Sequence, residues 1–156
     1  VTNHHLHRLP ALAAVAAEWK AFGYDHATAV VTNARALAAA LDAEKLPVIG
    51  ANNGYTATHT VLISSPEAPA IGKRLEDADI LVTPVGLPDE LGGGCLRLGV
   101  QEITRRGFTP EQAPAVAKLI AAAWRGDHPA DQISRDVAAL VAQWQDWKYT
   151  WPVASS

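Results

Sequence analysis

The 156-residue chain has no methionine and only one cysteine, Cys95. A single cysteine forms no disulfide within the chain, which agrees with a reducing compartment and an expected cytoplasmic location. No apolar run reaches the roughly 18 residues that a membrane helix needs, so no membrane association is expected. An excess of positive charge is missing too: 13 Lys and Arg stand against 16 Asp and Glu, a formal net charge of −3. Without a basic field, nucleic acid is not an expected partner. The start "VTNHHLHRLP" lacks the charged end and apolar core of a signal peptide. It begins with Val and runs straight into an alanine-rich stretch, as expected of a piece of something longer.

What is present is globular. Hydrophobic residues make up 49 % and charged residues 19 %, a balance that folds rather than stays disordered. Residues 5 to 44 read as helix, because Ala, Leu, Glu, Lys and Arg dominate. Within them Val30, Ala34, Leu37 and Leu41 recur on one face, and Phe22-Gly23 suggests a break into two helices. "PVIG" (47–50), "THTVLISS" (58–65), "DILVTPV" (79–85) and "CLRLGV" (95–100) read as four short strands. Ser65-Pro66-Glu67 is a helix start, with the helix running to about Asp77. Thr109-Pro110-Glu111-Gln112 is a capping box opening a helix that turns Val116, Leu119, Ile120 and Trp124 inward. "RGDHP" ends it, and a last helix aligns Ile133, Val137, Leu140, Val141 and Trp144.

The expected fold class is α+β: a long N-terminal helix, then a small, mostly antiparallel four-stranded sheet with helices on one face. The expected division is a connecting helical segment at 1–44, an α/β core at 45–126 containing the helix 110–124, and a final helix and tail at 127–156.

Several residues invite a chemical reading. His4, His5 and His7 suggest a metal, but neighbours on a helix point apart and no Cys or carboxylate completes a set, so no metal site is expected. Gly92-Gly93-Gly94 precedes a strand rather than a helix, which removes the mechanics of a phosphate loop. Cys95 has no base near it in sequence and reads as a small buried hydrophobe. His59, inside a strand, reads first as a hydrogen-bonded structural residue and second as a site candidate. Arg97 is the sharper case. In "CLRLGV" it shares a face with Cys95 and Gly99, while Leu96, Leu98 and Val100 take the other. Two readings fit: a surface arginine on a half-exposed strand, or a planar fork gripping a carboxylate. The pattern alone does not separate them.

"LRLGVQEITRRGF" followed by "TPEQAPAVAKLIAAAW" resembles the C-terminal domain of the serine hydroxymethyltransferase family and its threonine transaldolase-like relatives. "VVTNARALAAAL", "GYTATHTVLI" and "DADILVTPV" resemble further family segments in the same order, from about Thr2 to Trp124. The specific part is Arg97, Gly99 and the Thr104-Arg105-Arg106-Gly107-Phe108 turn. The resemblance implies a pyridoxal-phosphate enzyme of the aspartate-aminotransferase fold type, which makes or breaks the Cα–Cβ bond of β-hydroxy amino acids. It makes Arg97 the ligand of the substrate carboxylate, with His59, Thr104 and Arg105 as secondary candidates.

Two departures from the family pattern shape the expectation. Lys20, Lys45, Lys73, Lys118 and Lys148 all lie outside the family's Schiff-base motif. No catalytic residue is therefore expected in this chain, and pyridoxal phosphate would be bound mainly by a large domain or subunit elsewhere, in a homo- or hetero-oligomer. Thr83-Pro84-Val85 stands where the family has the Asn-Lys-Asn that helps hold folate. That argues against tetrahydrofolate and for a folate-independent aldolase or transaldolase. The alternative is a non-catalytic interaction or regulatory module derived from the same domain.

Overall fold

A computed structural model describes residues 5–152. Helix α1 spans Arg8–Ala43 and is followed by a single 3-10 turn at Ala51–Asn53. Strand β1 (Thr60–Ser64), helix α2 (Ala68–Asp77), strand β2 (Thr83–Gly86), a 3-10 turn at Asp89–Leu91 and strand β3 (Gly94–Gly99) come next. Helix α3 (Gln101–Arg105), a 3-10 turn at Pro110–Gln112, α4 (Ala113–Arg125) and α5 (Ala130–Val141) complete the order. The fold is α+β. The sheet is antiparallel and three-stranded, in the order β1-β3-β2.

The expected fourth strand is only rudimentary. "PVIG" adds a single bridge between Val48 and Ile63, flanked by backbone bonds from Ile49 N to Leu62 O and from Ser64 N to Pro47 O, both 2.9 Å. The expected strand at 79–85 is shorter and shifted, because regular pairing starts only at Thr83. Ile80 and Val82 pack against the core from irregular backbone instead. The last expected strand ends at Gly99, and Val100 caps a short helix, not a turn.

Helix α1 does not break at Phe22-Gly23. Gly23 is buried there, and an added Cβ would lie 3.1 Å from the Trp19 ring, so the glycine serves close packing. The predicted capping box forms: Gln112 Oε1 accepts from Thr109 N at 3.0 Å. Helix α2 starts later than the sequence suggests, with Glu67 as N-cap, while Ser65 Oγ accepts from Glu67 N at 3.1 Å.

Alternation decides what each sheet face does. Val61 and Ile63 of β1 pair with Leu98 and Leu96 of β3. All four are buried in one cluster with Val30, Ala34, Leu37 and Leu41 of α1, Ile71 and Leu75 of α2, and Ala117 and Ile120 of α4. The helices therefore cover this face. A smaller cluster joins Phe108, Ala113 and Trp144, with the Phe108 and Trp144 rings edge to face at 5.5 Å. The opposite face carries Leu62, Thr83 and Arg97, in register across three strands.

The tail is docked. Lys148 N bonds to Arg105 O at 2.7 Å, the Tyr149 ring lies against His26, and Trp151 meets Phe22 edge to face. The turns before the tail contact are different: Leu9, Leu12, Val15 and Trp19 form an exposed apolar stripe along the first turns of α1, and Leu6 is exposed just before it.

Candidate functional site

Arg97 sits on the central strand, so its position is fixed from both sides: Leu62 of β1 and Thr83 of β2 are its cross-strand partners. Its side chain is on the uncovered face and exposed. Most of the other arginines are engaged. Arg35 bonds to Thr56 O, Arg74 to Trp124 O, Arg105 to Glu18, Arg106 to Glu102, Arg125 to Glu44 and Arg135 to Asp131. Among the described residues, Arg97 has no ion-pair or side-chain hydrogen-bond partner. A guanidinium left in this way offers five donors in a planar fork to an incoming anion.

The fork opens into a hollow of about 310 Å³, lined by His59, Thr60, Leu81, Val82, Thr83, Leu98, Gly99 and Gln101 beside Arg97. The polar groups converge from three elements. His59 enters from the chain just before β1, Thr83 from the start of β2, and Gln101 from the first residue of α3. Such a mix suits a small ligand with one anionic end. Gln101 and Leu81 were not legible as site residues in the sequence. They join because the chain turns abruptly after Gly99 and because pairing to β2 stops at Thr83.

The other sequence candidates lie elsewhere. Thr104 is buried under α1, where its Oγ1 accepts from Asn33 Nδ2 at 2.9 Å; Asn33 Nδ2 also donates to Phe108 O at 2.8 Å. This buried amide ties α1 to the turn that follows the Arg97 strand. Arg105 is held by Glu18 of α1 at 2.7 Å. Glu18 also accepts from the Thr150 hydroxyl, and that bond, followed by Arg105, holds its carboxyl below the usual carboxylate range. Thr104 and Arg105 thus brace the strand exit, while His59 lines the Arg97 hollow.

Cys95 is fully buried, and burial pushes its thiol up, away from the reactive thiolate. Gly92 and Gly93 take positive φ at the end of the 3-10 turn, where Ser64 Oγ donates to Leu91 O at 3.3 Å. Their use is conformational and no phosphate cradle results. His4 lies outside the described residues, and among those described no three His, Cys, Asp or Glu side chains gather as metal ligands. No described helix is long and apolar enough to cross a membrane.

Comparison with known proteins gives the class first. The fold matches part of an L-threonine transaldolase from Pseudomonas fluorescens, solved in its internal aldimine state. The TM-score is 0.80 and the identity 28 %, over 85 % of this chain and 32 % of that one. The chain thus shares the fold of one segment of that enzyme. The particular family follows from the curated relatives. Serine hydroxymethyltransferase of Pyrobaculum islandicum is 35 % identical over 98 % of this chain and 37 % of its own length. That of Methanopyrus kandleri is 38 % identical over 96 % of this chain and 37 % of its own. That of Aeropyrum pernix is 42 % identical over 77 % of this chain and 29 % of its own. The chain is a segment of the serine hydroxymethyltransferase family, including its threonine transaldolase-like relatives. It spans about a third of the length of the curated relatives it matches. No protein-family model matches it.

Proposed function

We propose that this chain is the substrate-carboxylate part of a pyridoxal-phosphate-dependent, serine hydroxymethyltransferase-like enzyme acting on glycine and β-hydroxy amino acids. The observation that carries the reading is Arg97: without a side-chain partner among the described residues, aligned on the central strand, and facing a hollow with His59, Thr83 and Gln101. Arg97 would take the α-carboxylate in a two-point, charge-assisted grip, which fixes the Cα substituents relative to the cofactor. Pyridoxal phosphate, when bound, supplies the electron sink for cleaving or forming the Cα–Cβ bond. The residues here do not fit its covalent anchorage, since no lysine lines the hollow. That anchorage falls to the large domain or subunit we assign as partner. The exposed stripe Leu9, Leu12, Val15 and Trp19, with Leu6 just before it, is the surface assigned to that contact.

We further read the reaction as a folate-independent aldolase or transaldolase. Val85 lies on the same sheet face as Arg97 but offers no side-chain hydrogen bond, and Pro84 beside it lacks a backbone N–H. A pterin ring would find few partners there. A non-catalytic module would use the same apolar stripe without needing Arg97.

The test uses the enzyme assembled with its lysine-bearing portion. Arg97→Lys keeps the charge and loses the fork, and should cost about 2–5 kcal/mol of amino-acid binding. Unaltered binding would remove Arg97 from the role. Threonine plus an acceptor aldehyde should exchange without tetrahydrofolate. Folate-dependent glycine formation from serine, with no exchange from threonine, would overturn the folate-independent reading.

A further inference from the structure

Gly99 stands two residues beyond Arg97 on β3, so alternation turns its missing side chain to the same open face. The pairing agrees, with Leu62 opposite Arg97 and Thr60 opposite Gly99 on β1. A Cβ built on Gly99 would come within 2.6 Å of Gln101 Oε1 and 3.7 Å of its Cδ. Gly99 is not among the glycines with positive φ. What glycine supplies at this position is therefore space, and the Gln101 amide occupies it.

The consequence is local. Gln101 opens α3, yet its side chain folds back over the strand it follows. The amide lies on the open face of the sheet, one pleat along from Arg97, and both side chains line the same hollow. Two residues of strand separate their roots by roughly 7 Å, short enough for one small ligand to touch both. Gln101 is exposed, and among the described residues its amide has no hydrogen-bond partner. Half a turn about its last bond exchanges the amide oxygen for the NH₂ group, so a donor is available at this point. Beside a cation that receives an anion, the donor is the useful end.

We propose that Gln101 is a second carboxylate ligand of the Arg97 hollow, its Nε2–H donating to an oxygen of the α-carboxylate that the arginine fork grips. Gly99 is the gap that lets it reach. The inference rests on the Arg97 reading above and adds a specificity-determining residue to it. Each carboxylate oxygen accepts more than one hydrogen bond, so a further donor joins the fork without displacing it. One anion satisfies both side chains, which a neutral group in its place does not.

The experiment measures glycine affinity by calorimetric titration of the enzyme assembled with its lysine-bearing portion. Gln101→Leu removes the donor at similar size and should weaken glycine by about tenfold. Gln101→Glu sets a negative charge against the carboxylate and should weaken it further, by roughly a hundredfold. Gln101→Lys keeps a donor and should stay within about threefold of the wild type. Gly99→Ala displaces the amide and should match Gln101→Leu, and the double variant should be no weaker than either single one. Urea midpoints of the Gln101 variants should equal that of the wild type, because the side chain is exposed. A structural role would not produce the affinity order Lys, Leu, Glu at constant stability. Should Gly99→Ala fail to fold, the Gln101 series decides alone. Wild-type affinity in Gln101→Leu and Gln101→Glu, with glycine lost in Arg97→Lys, would overturn the role of Gln101 and leave the Arg97 reading standing. Tighter glycine binding in Gln101→Glu would overturn it too, because the amide would then face the amino end. Unaltered binding in Arg97→Lys would overturn both readings.

Discussion

Adjacent residues of β3 face opposite duties. Leu96 and Leu98 look into the helices and are almost wholly buried, and Arg97 between them is exposed, with no side-chain partner among the described residues. One face supplies the free energy that makes the strand straight and fixed in place. The other spends little of it and holds a solvent-facing cation at a defined point. A charge placed on a loop would have the same chemistry and far less positional certainty. The lesson is that alternation in a strand lets stability and binding be tuned residue by residue, without either trespassing on the other.

The strongest way to break the comparison is on the covered face. Leu96→Ala removes a fully buried side chain at the centre of the main cluster and should destabilise the fold by about 2–5 kcal/mol in urea unfolding. Its mirror, Arg97→Ala, should shift the same transition by no more than about 0.5 kcal/mol, because the side chain is exposed and unpaired. Equal losses from the two would mean that the faces are not independent.

A smaller effect is expected at the bridge between α1 and the strand exit. Asn33→Ala leaves Thr104 Oγ1 and Phe108 O without their shared donor in a buried setting, and should cost about 1–3 kcal/mol. Hydrogen exchange should quicken in 104–108 before it quickens in β1.

The smallest effect concerns pH. Glu18 has a folded pKa below its unfolded value, so its contribution to stability is present above the ordinary carboxylate range. It fades as pH falls through that range toward the lowered folded value. Glu18→Gln should flatten this acid limb of the urea midpoint and leave the neutral region nearly parallel to the wild type. An unchanged acid limb would show that Thr150 and Arg105 do not favour the ionised form.

Much of this was readable before any coordinates. The alternation in "CLRLGV" identified Arg97 as the odd residue on a two-faced strand, and the 30, 34, 37, 41 spacing identified the buried stripe of α1. What misled was apolar sequence without regular pairing. "DILV" reads as strand because it is β-branched and hydrophobic, but Ile80 and Val82 reach the core from backbone that has left the sheet. Gly23 reads as a break because glycine usually costs a helix about 1 kcal/mol, and here an indole needs the space. The polar company of Arg97 was hidden for another reason. His59, Thr83 and Gln101 are 24 and 18 residues apart in sequence and meet only through strand order and a sharp exit. No local pattern encodes that meeting.

The sheet's outer strands carry a further consequence, for colloidal behaviour. Only the inner strand, β3, has ladder partners on both sides, so two rims remain that a foreign chain could extend. One rim is already occupied, because Ile49 N–H donates to Leu62 O of β1 and Pro47 O accepts from Ser64 N–H. The other is four residues long and contains Pro84, which has no hydrogen to donate. Neither rim is an inviting template for cross-β stacking. A chain that displays an apolar stripe and a bare arginine is in this way shielded from the commonest route by which exposed sheets gather into fibres.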